Sequence, residues 1–209
     1  MRQVEIVGVK RLPPDAVVAA LRLPPGATLF ESSRMLAARV RELTGVADAS
    51  VRRRLPGTLE VRIKETEPAA LVARERGGPL VAVDAKGHPL PFDPERAALD
   101  LPIVPTPDSG VVAVLALARS VDPAFFQTIT GARSLPRGDV ELECGVYHVL
   151  LRSDALPDDI RAVVLVTQDL MANGRSYSEL DARFEGQVVV RGRGRALAAR
   201  TAGVGARGL

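Results

Sequence analysis

Residues 46–65 read VADASVRRRLPGTLEVRIKE. In the second half Leu59, Val61 and Ile63 alternate with Glu60, Arg62 and Lys64, the period of a strand with one apolar and one wet face. Val46–Leu55 reads as the preceding strand, and Pro56-Gly57 supplies the turn. Such a hairpin needs cover for its apolar face, and the sequence upstream provides it. Ser32 or Ser33 can cap a helix with Leu36, Val40 and Leu43 at i, i+4 and i+7, stopped by Gly45. Asp15–Leu21 reads as a shorter helix with Val17, Val18 and Leu21 on one face, between Leu12-Pro13-Pro14 and Pro24-Pro25-Gly26. Val4–Val9 has strand character. Residues 1–66 therefore form a β-α-α-β-β unit, in which two helices cover one face of a three-stranded sheet.

Residues 67–191 read as a second, mixed and β-rich unit with helices, so the fold class is α+β. Ala69–Arg74 and Pro79–Asp84 suggest a hairpin around Gly77-Gly78. Leu101–Val104 is strand-like within a Pro-rich connection, and Val111–Val121 reads as a buried helix closed by Asp122-Pro123. Phe125–Gly131 either extends that helix or forms a strand. Val140–Glu143 and Gly145–Arg152 look like a hairpin. Asp158–Asn173 is a helix with two acids at its positive end and Gly174 as its stop. Tyr177–Arg183 and Gln187–Arg191 are the last expected strands, with a break or bulge near Glu185-Gly186. Residues 192–209, GRGRALAARTAGVGARGL, have few core-forming residues and read as a disordered Gly/Ala/Arg tail.

The 209-residue chain is 46% hydrophobic but only 3% aromatic, so its core must be built largely from Val, Leu, Ala and Ile. The formal charge of +3 hides three blocks. Residues 1–66 carry +5, residues 67–186 carry −7, and residues 187–209 carry five arginines and no acid. The arginine triplet Arg52-Arg53-Arg54 and the tail arginines fit solvated strand positions and an unstructured end better than a nucleic-acid site, because residues 1–66 hold one aromatic, Phe30, where single-strand recognition uses stacking platforms. One cysteine, Cys144, excludes an internal disulfide, and two histidines, His88 and His148, leave little for a zinc site. His88 falls in a turn, His148 in mid-strand, and Asp158 with Asp159 suits helix capping better than acid–base work. No cofactor, metal or catalytic residue is expected. The fingerprint-like Gly203-x-Gly205-x-x-Gly208 lacks the strand and helix that a dinucleotide site needs.

Six stretches in order resemble the extracytoplasmic region of the bacterial cell-division protein family FtsQ, called DivIB in Gram-positive bacteria. Val4–Gly8 resembles its opening strand, and Pro25-Gly26-Ala27-Thr28-Leu29-Phe30 its link between helices. Val46–Arg53 with Leu55–Leu59 resembles its V-x-x-A-x-V-x-R-x-x-P-x-T-L hairpin. Glu65–Ala69 resembles E-R-x-P-A, with Thr66 where Arg is usual. Leu80–Gly87 resembles L-V-D-x-x-G, and Leu180–Phe184 resembles I-D-L-R-F/Y, with Ala182 in place of Leu.

The resemblance implies a POTRA domain, a polypeptide-binding module, over residues 1–66 and the family's β domain over 67–191. It implies a non-enzymatic divisome scaffold at the division septum. Such a scaffold is held in the inner membrane by one helix upstream of this chain, its folded part lies in the periplasm, and it binds FtsB- and FtsL-like partners. The POTRA domain would meet other membrane-tethered division proteins. A partner strand would extend the last strand of the β domain, at positions Asp181, Arg183, Phe184, Glu185, Gly186, Val188 and Val190. A last strand with nothing after it can lie at a sheet edge, with unpaired N–H and C=O groups open to such addition. A charged residue at Phe184 or Val188 would then abolish binding and spare the fold. The alternative is a POTRA module of an outer-membrane transport or export system.

Overall fold

The computed structural model describes residues 3–23, 32–75, 78–95 and 97–192, and the backbone of residues 196–199. The chain divides into two compact units. The first comprises Met1–Pro68 with Pro89–Leu99, and the second Ala69–His88 with Asp100–Leu209. The Pro-rich segment Pro89–Leu99, expected within the second unit, thus groups with the first: Pro91 lies against Gly45 there.

In the first unit the described strands are β1 (Gln3–Val7), β2 (Val46–Arg54) and β3 (Thr58–Glu65), in the spatial order β1-β3-β2. β1 runs parallel to β3, and β2 antiparallel to it. Helices α1 (Pro14–Leu21) and α2 (Ser33–Arg41) lie between β1 and β2 in sequence, and Ser32 Oγ caps α2 by accepting from the Arg34 N–H. Val17, Leu21, Leu36 and Val40 from the helices close on Val51, Leu59, Val61 and Ile63. Gly8 ends the first strand for a physical reason. Its φ is +92°, and a Cβ there would sit 2.2 Å from the Ile63 carbonyl oxygen. The chain then passes Glu65, whose Oε1 accepts from the backbone N–H groups of Lys10, Arg11 and Leu12 at 2.7, 2.8 and 2.9 Å. Burial pushes the Glu65 carboxyl up, but those three donors and the Arg11 charge outweigh it and hold it below the ordinary value.

The second unit is built on a mixed sheet with nine described strands: β4 (Ala70–Ala73), β5 (Leu80–Val83), β6 (Ile103–Val104), β7 (Gly131–Ser134), β8 (Asp139–Cys144), β9 (Tyr147–Arg152), β10 (Glu179–Phe184), β11 (Gln187–Arg191) and β12 (Ala196–Ala199). Their order is β12-β11-β10-β9-β8-β7-β6-β4-β5. The pairs β4–β6, β6–β7 and β9–β10 are parallel. Helix α3 (Ser109–Val121) is capped by Asp108, α4 (Pro123–Thr128) by Asp122, and α5 (Pro157–Ala172) follows Leu156. Helix α3 packs on β7, β8 and α5, and α5 packs on β10 and β11. Val111, Leu115 and Ala118 of α3 and Ile160, Val163 and Leu170 of α5 meet Leu142, Val149, Leu151 and Leu180 in one core. Cys144 is part of that core, where burial pushes its thiol up to about 11.

The undecided stretch after Asp122 resolves into a short helix and then a strand. Gly131–Ser134 has no continuous apolar pattern, and it is a strand because β8 templates it. The tail reading is corrected at Ala196–Ala199, which pairs antiparallel with β11 from Val188↔Ala199 to Arg191↔Ala196. An edge strand needs only a neighbour's open backbone, so four small residues can pair without a strand-like sequence of their own. The rest of the expected tail, residues 193–195 and 200–209, lies outside the described residues.

Candidate functional site

The segment singled out in the sequence forms the β10–β11 hairpin. Phe184 pairs with Gln187, so Glu185-Gly186 is a two-residue turn, with Gly186 at φ +67°. Of the break or bulge expected near Glu185-Gly186, the break is this turn, and the bulge lies earlier: the register shifts between Asp181↔Val189 and Phe184↔Gln187, which puts it at Ala182-Arg183.

The hydrogen-bond directions fix which backbone groups face outward. The His148 N–H donates to the Ser178 carbonyl while the Ser178 N–H donates to the Arg191 carbonyl, so Leu180 turns towards β9, and Glu179 and Asp181 towards β11. Across the β10–β11 ladder, Val189 and Arg191 therefore face β10. Val188 and Val190 present their N–H and C=O groups to the opposite edge, which β12 occupies. Their side chains are core, at 1% and 5% exposure. The expectation that a charge at Val188 spares the fold is therefore corrected, whereas Phe184, at 51%, is open to solvent. The alternation itself is as read: Val188 and Val190 point to one side, Gln187 and Val189 to the other.

On the sheet face away from the helices, Asp181 is fully buried under two arginines. Arg183 Nε and Nη2 donate to its two oxygens at 2.8 and 2.7 Å, and Arg183 Nη1 donates to Asp139 at 2.8 Å, spanning β9 to reach β8. Arg191 Nη2 stands 3.5 Å from Asp181 and Arg191 Nη1 also pairs with Glu179. Burial raises the Asp181 carboxyl, but the Arg183 hydrogen bonds and the charges of Arg183 and Arg191 outweigh that and leave it below the ordinary carboxylate value. Arg183 is raised further above the ordinary guanidinium value by the same pairing. This cluster ties β8, β10 and β11 together.

Known proteins resemble this chain over its first unit and over most of its length. Residues 1–66 match the family described as "POTRA domain, FtsQ-type". Residues 1–66 are an FtsQ-type POTRA domain, and the chain is FtsQ-like. It is 27% identical over 212 residues to the "Cell division protein FtsQ" of Rhodothermus marinus, covering 91% of this chain and 77% of that protein. Proteins of the same name from Anaeromyxobacter sp. and Mycolicibacterium smegmatis are 34% and 32% identical over 105 and 149 residues. The chain spans 35% and 44% of those two, less than half of each. Its role is in cell division.

For an FtsQ-like chain the expected partner positions divide by what their side chains do. Asp181 and Arg183 are engaged with each other, Val188 and Val190 are core, and Phe184, Glu185 and Gly186 form the exposed tip. Sequence reading missed the surroundings of that tip. A cleft of about 170 Å³ is lined by Phe184, Glu185, Arg152, Asp154, Leu156 and Asp159. Leu156 is 64% exposed, an apolar residue before Pro157 that no helix periodicity requires. Among the described residues no group of three or more His, Cys, Asp or Glu could hold a metal ion.

Proposed function

We propose that this FtsQ-like chain is a non-catalytic divisome scaffold that takes a strand from an FtsB-like partner along the outer side of β11, with an FtsL-like protein in the same assembly. The observation that carries this reading is the edge itself: Val188 and Val190 aim N–H and C=O groups away from β10, next to a tip where Phe184 is half exposed. Backbone pairing supplies affinity, and Phe184, Glu185 and the adjacent cleft supply register and selectivity. Asp181 and Arg183 act from within, by holding the hairpin rigid so that less ordering entropy is lost on binding. The POTRA unit, with +5 over residues 1–66, serves other division proteins tethered at the membrane. In this reading a membrane helix outside these residues anchors the protein, with the folded part on the periplasmic side; among the described residues no helix is long and apolar enough to cross a membrane.

The FtsQ type of the POTRA match favours this over a transport or export module. The test is Phe184→Asp, measured by titration with an FtsB-like peptide. Affinity is expected to fall at least about tenfold, or ~1.4 kcal/mol, with the melting temperature within a few degrees of the parent. Unchanged affinity in a folded variant removes the hairpin tip from the site.

A further inference from the structure

The edge proposed for the partner is already taken. Ala196–Ala199 lies along β11 in a complete four-residue register, and Val188 and Val190 are the β11 residues whose backbone groups face it. We propose that residues 196–199 are an exchangeable placeholder strand, which covers the β11 edge until a partner strand displaces it. This deepens the strand-addition reading and rests on it.

The composition of the segment suits that role. Its sequence is Ala-Leu-Ala-Ala, and Ala is a poor strand former that adds little cross-strand packing. It is four residues long, below the usual strand length, and is joined to β11 by Gly192-Arg193-Gly194-Arg195. Such a strand is held mainly by backbone hydrogen bonds, so it sits at the low end of local stability. It still has two effects. An edge with β-branched residues such as Val188, Val189 and Val190 invites association between copies, and a covering strand blocks that. Because it is tethered a few residues away, it also competes at high effective concentration with any strand arriving from outside.

The register states what a displacing strand needs. Val188 and Val190, whose own side chains are buried, pair with Ala199 and Leu197. An extended segment with β-branched residues in place of the three alanines has the higher strand propensity. It therefore displaces the tail although the backbone bonds exchanged are equal in number.

The experiment uses the full chain and its Leu197→Pro variant. Leu197 stands opposite Val190, so proline there removes a donor from the ladder. The probe is a synthetic peptide of residues 192–200 in which the three alanines are valine. The variant should lose at least about tenfold amide-exchange protection at Val188 and Val190, with Val149 and Leu151 unchanged. It should also bind the probe about tenfold more tightly, the factor expected if the tail occupies the edge nine-tenths of the time. Unchanged protection at Val188 and Val190, or equal affinity of parent and variant for the probe, overturns the placeholder. If both expected changes appear and an FtsB-like protein binds neither chain, the placeholder stands and the strand-addition reading of the function falls.

Discussion

Asp181 and Glu65 are buried carboxylates whose charge is answered by fixed donors. Asp181 has the guanidinium groups of Arg183 and Arg191, and Glu65 has three backbone N–H groups and Arg11. Both have folded-state values below the ordinary range, so both bind fewer protons at low pH when folded than when unfolded. Their contribution to stability is fully present above the ordinary carboxylate range and is lost as pH falls through the lower folded values. Asp181→Asn should lower stability by about 1–3 kcal/mol near neutral pH, because Arg183 loses an ionic acceptor. It should also flatten the loss of stability below about pH 4, the ordinary carboxylate region. Urea melts of parent and variant from neutral to acid pH measure both. A variant as acid-sensitive as the parent would remove Asp181 from the titrating set. None of this was legible in the sequence. Asp181 sits in an alternating strand like any wet-face acid, and only the β10 bulge and the β11 register bring Arg183 and Arg191 over it. Glu60 teaches the same lesson: alternation assigns it to water, yet Arg54 and Arg62 from the strands close over it and leave it 3% exposed.

The β10–β11 hairpin separates two kinds of residue that a sequence motif treats alike. Phe184 and Val188 are four positions apart, and both belong to the stretch that resembles a partner-binding strand. Val188→Asp places a carboxylate in the core and is expected to cost stability of the order of 3–5 kcal/mol, and so to unfold the second unit or populate aggregates. Circular dichroism melting distinguishes it at once from Phe184→Asp, and a Val188→Asp protein that melts like its parent would place Val188 outside the core. The β8–β9 hairpin and α5 were legible, because apolar periodicity and helix-terminal acids specify them locally. β7 and β12 were not. Each is a short segment made a strand by its neighbour's backbone, and nothing in GARS or ALAA announces that neighbour. The last-strand reading of β11 failed for the same reason, and its failure produced the placeholder.

At the scale of the whole molecule, the formal charge of +3 hides an uneven distribution along the chain. Residues 1–66 carry +5, residues 67–186 carry −7, and residues 187–209 carry five arginines and no acid, so the charge is spread along the chain in blocks of opposite sign. The β-α-α-β-β order of the first unit was readable because each element carries its own periodicity, while the recruitment of Pro89–Leu99 into it depends on contacts with no local signal. The central claim concerns one edge of one sheet. It is tested most directly by residue-resolved amide exchange on the full chain saturated with an FtsB-like protein. Exchange at Val188 and Val190 should slow by at least about tenfold as a better strand replaces Ala196–Ala199, with little change at the β5 edge. Binding that leaves Val188 and Val190 as they were, and protects another surface instead, would contradict it.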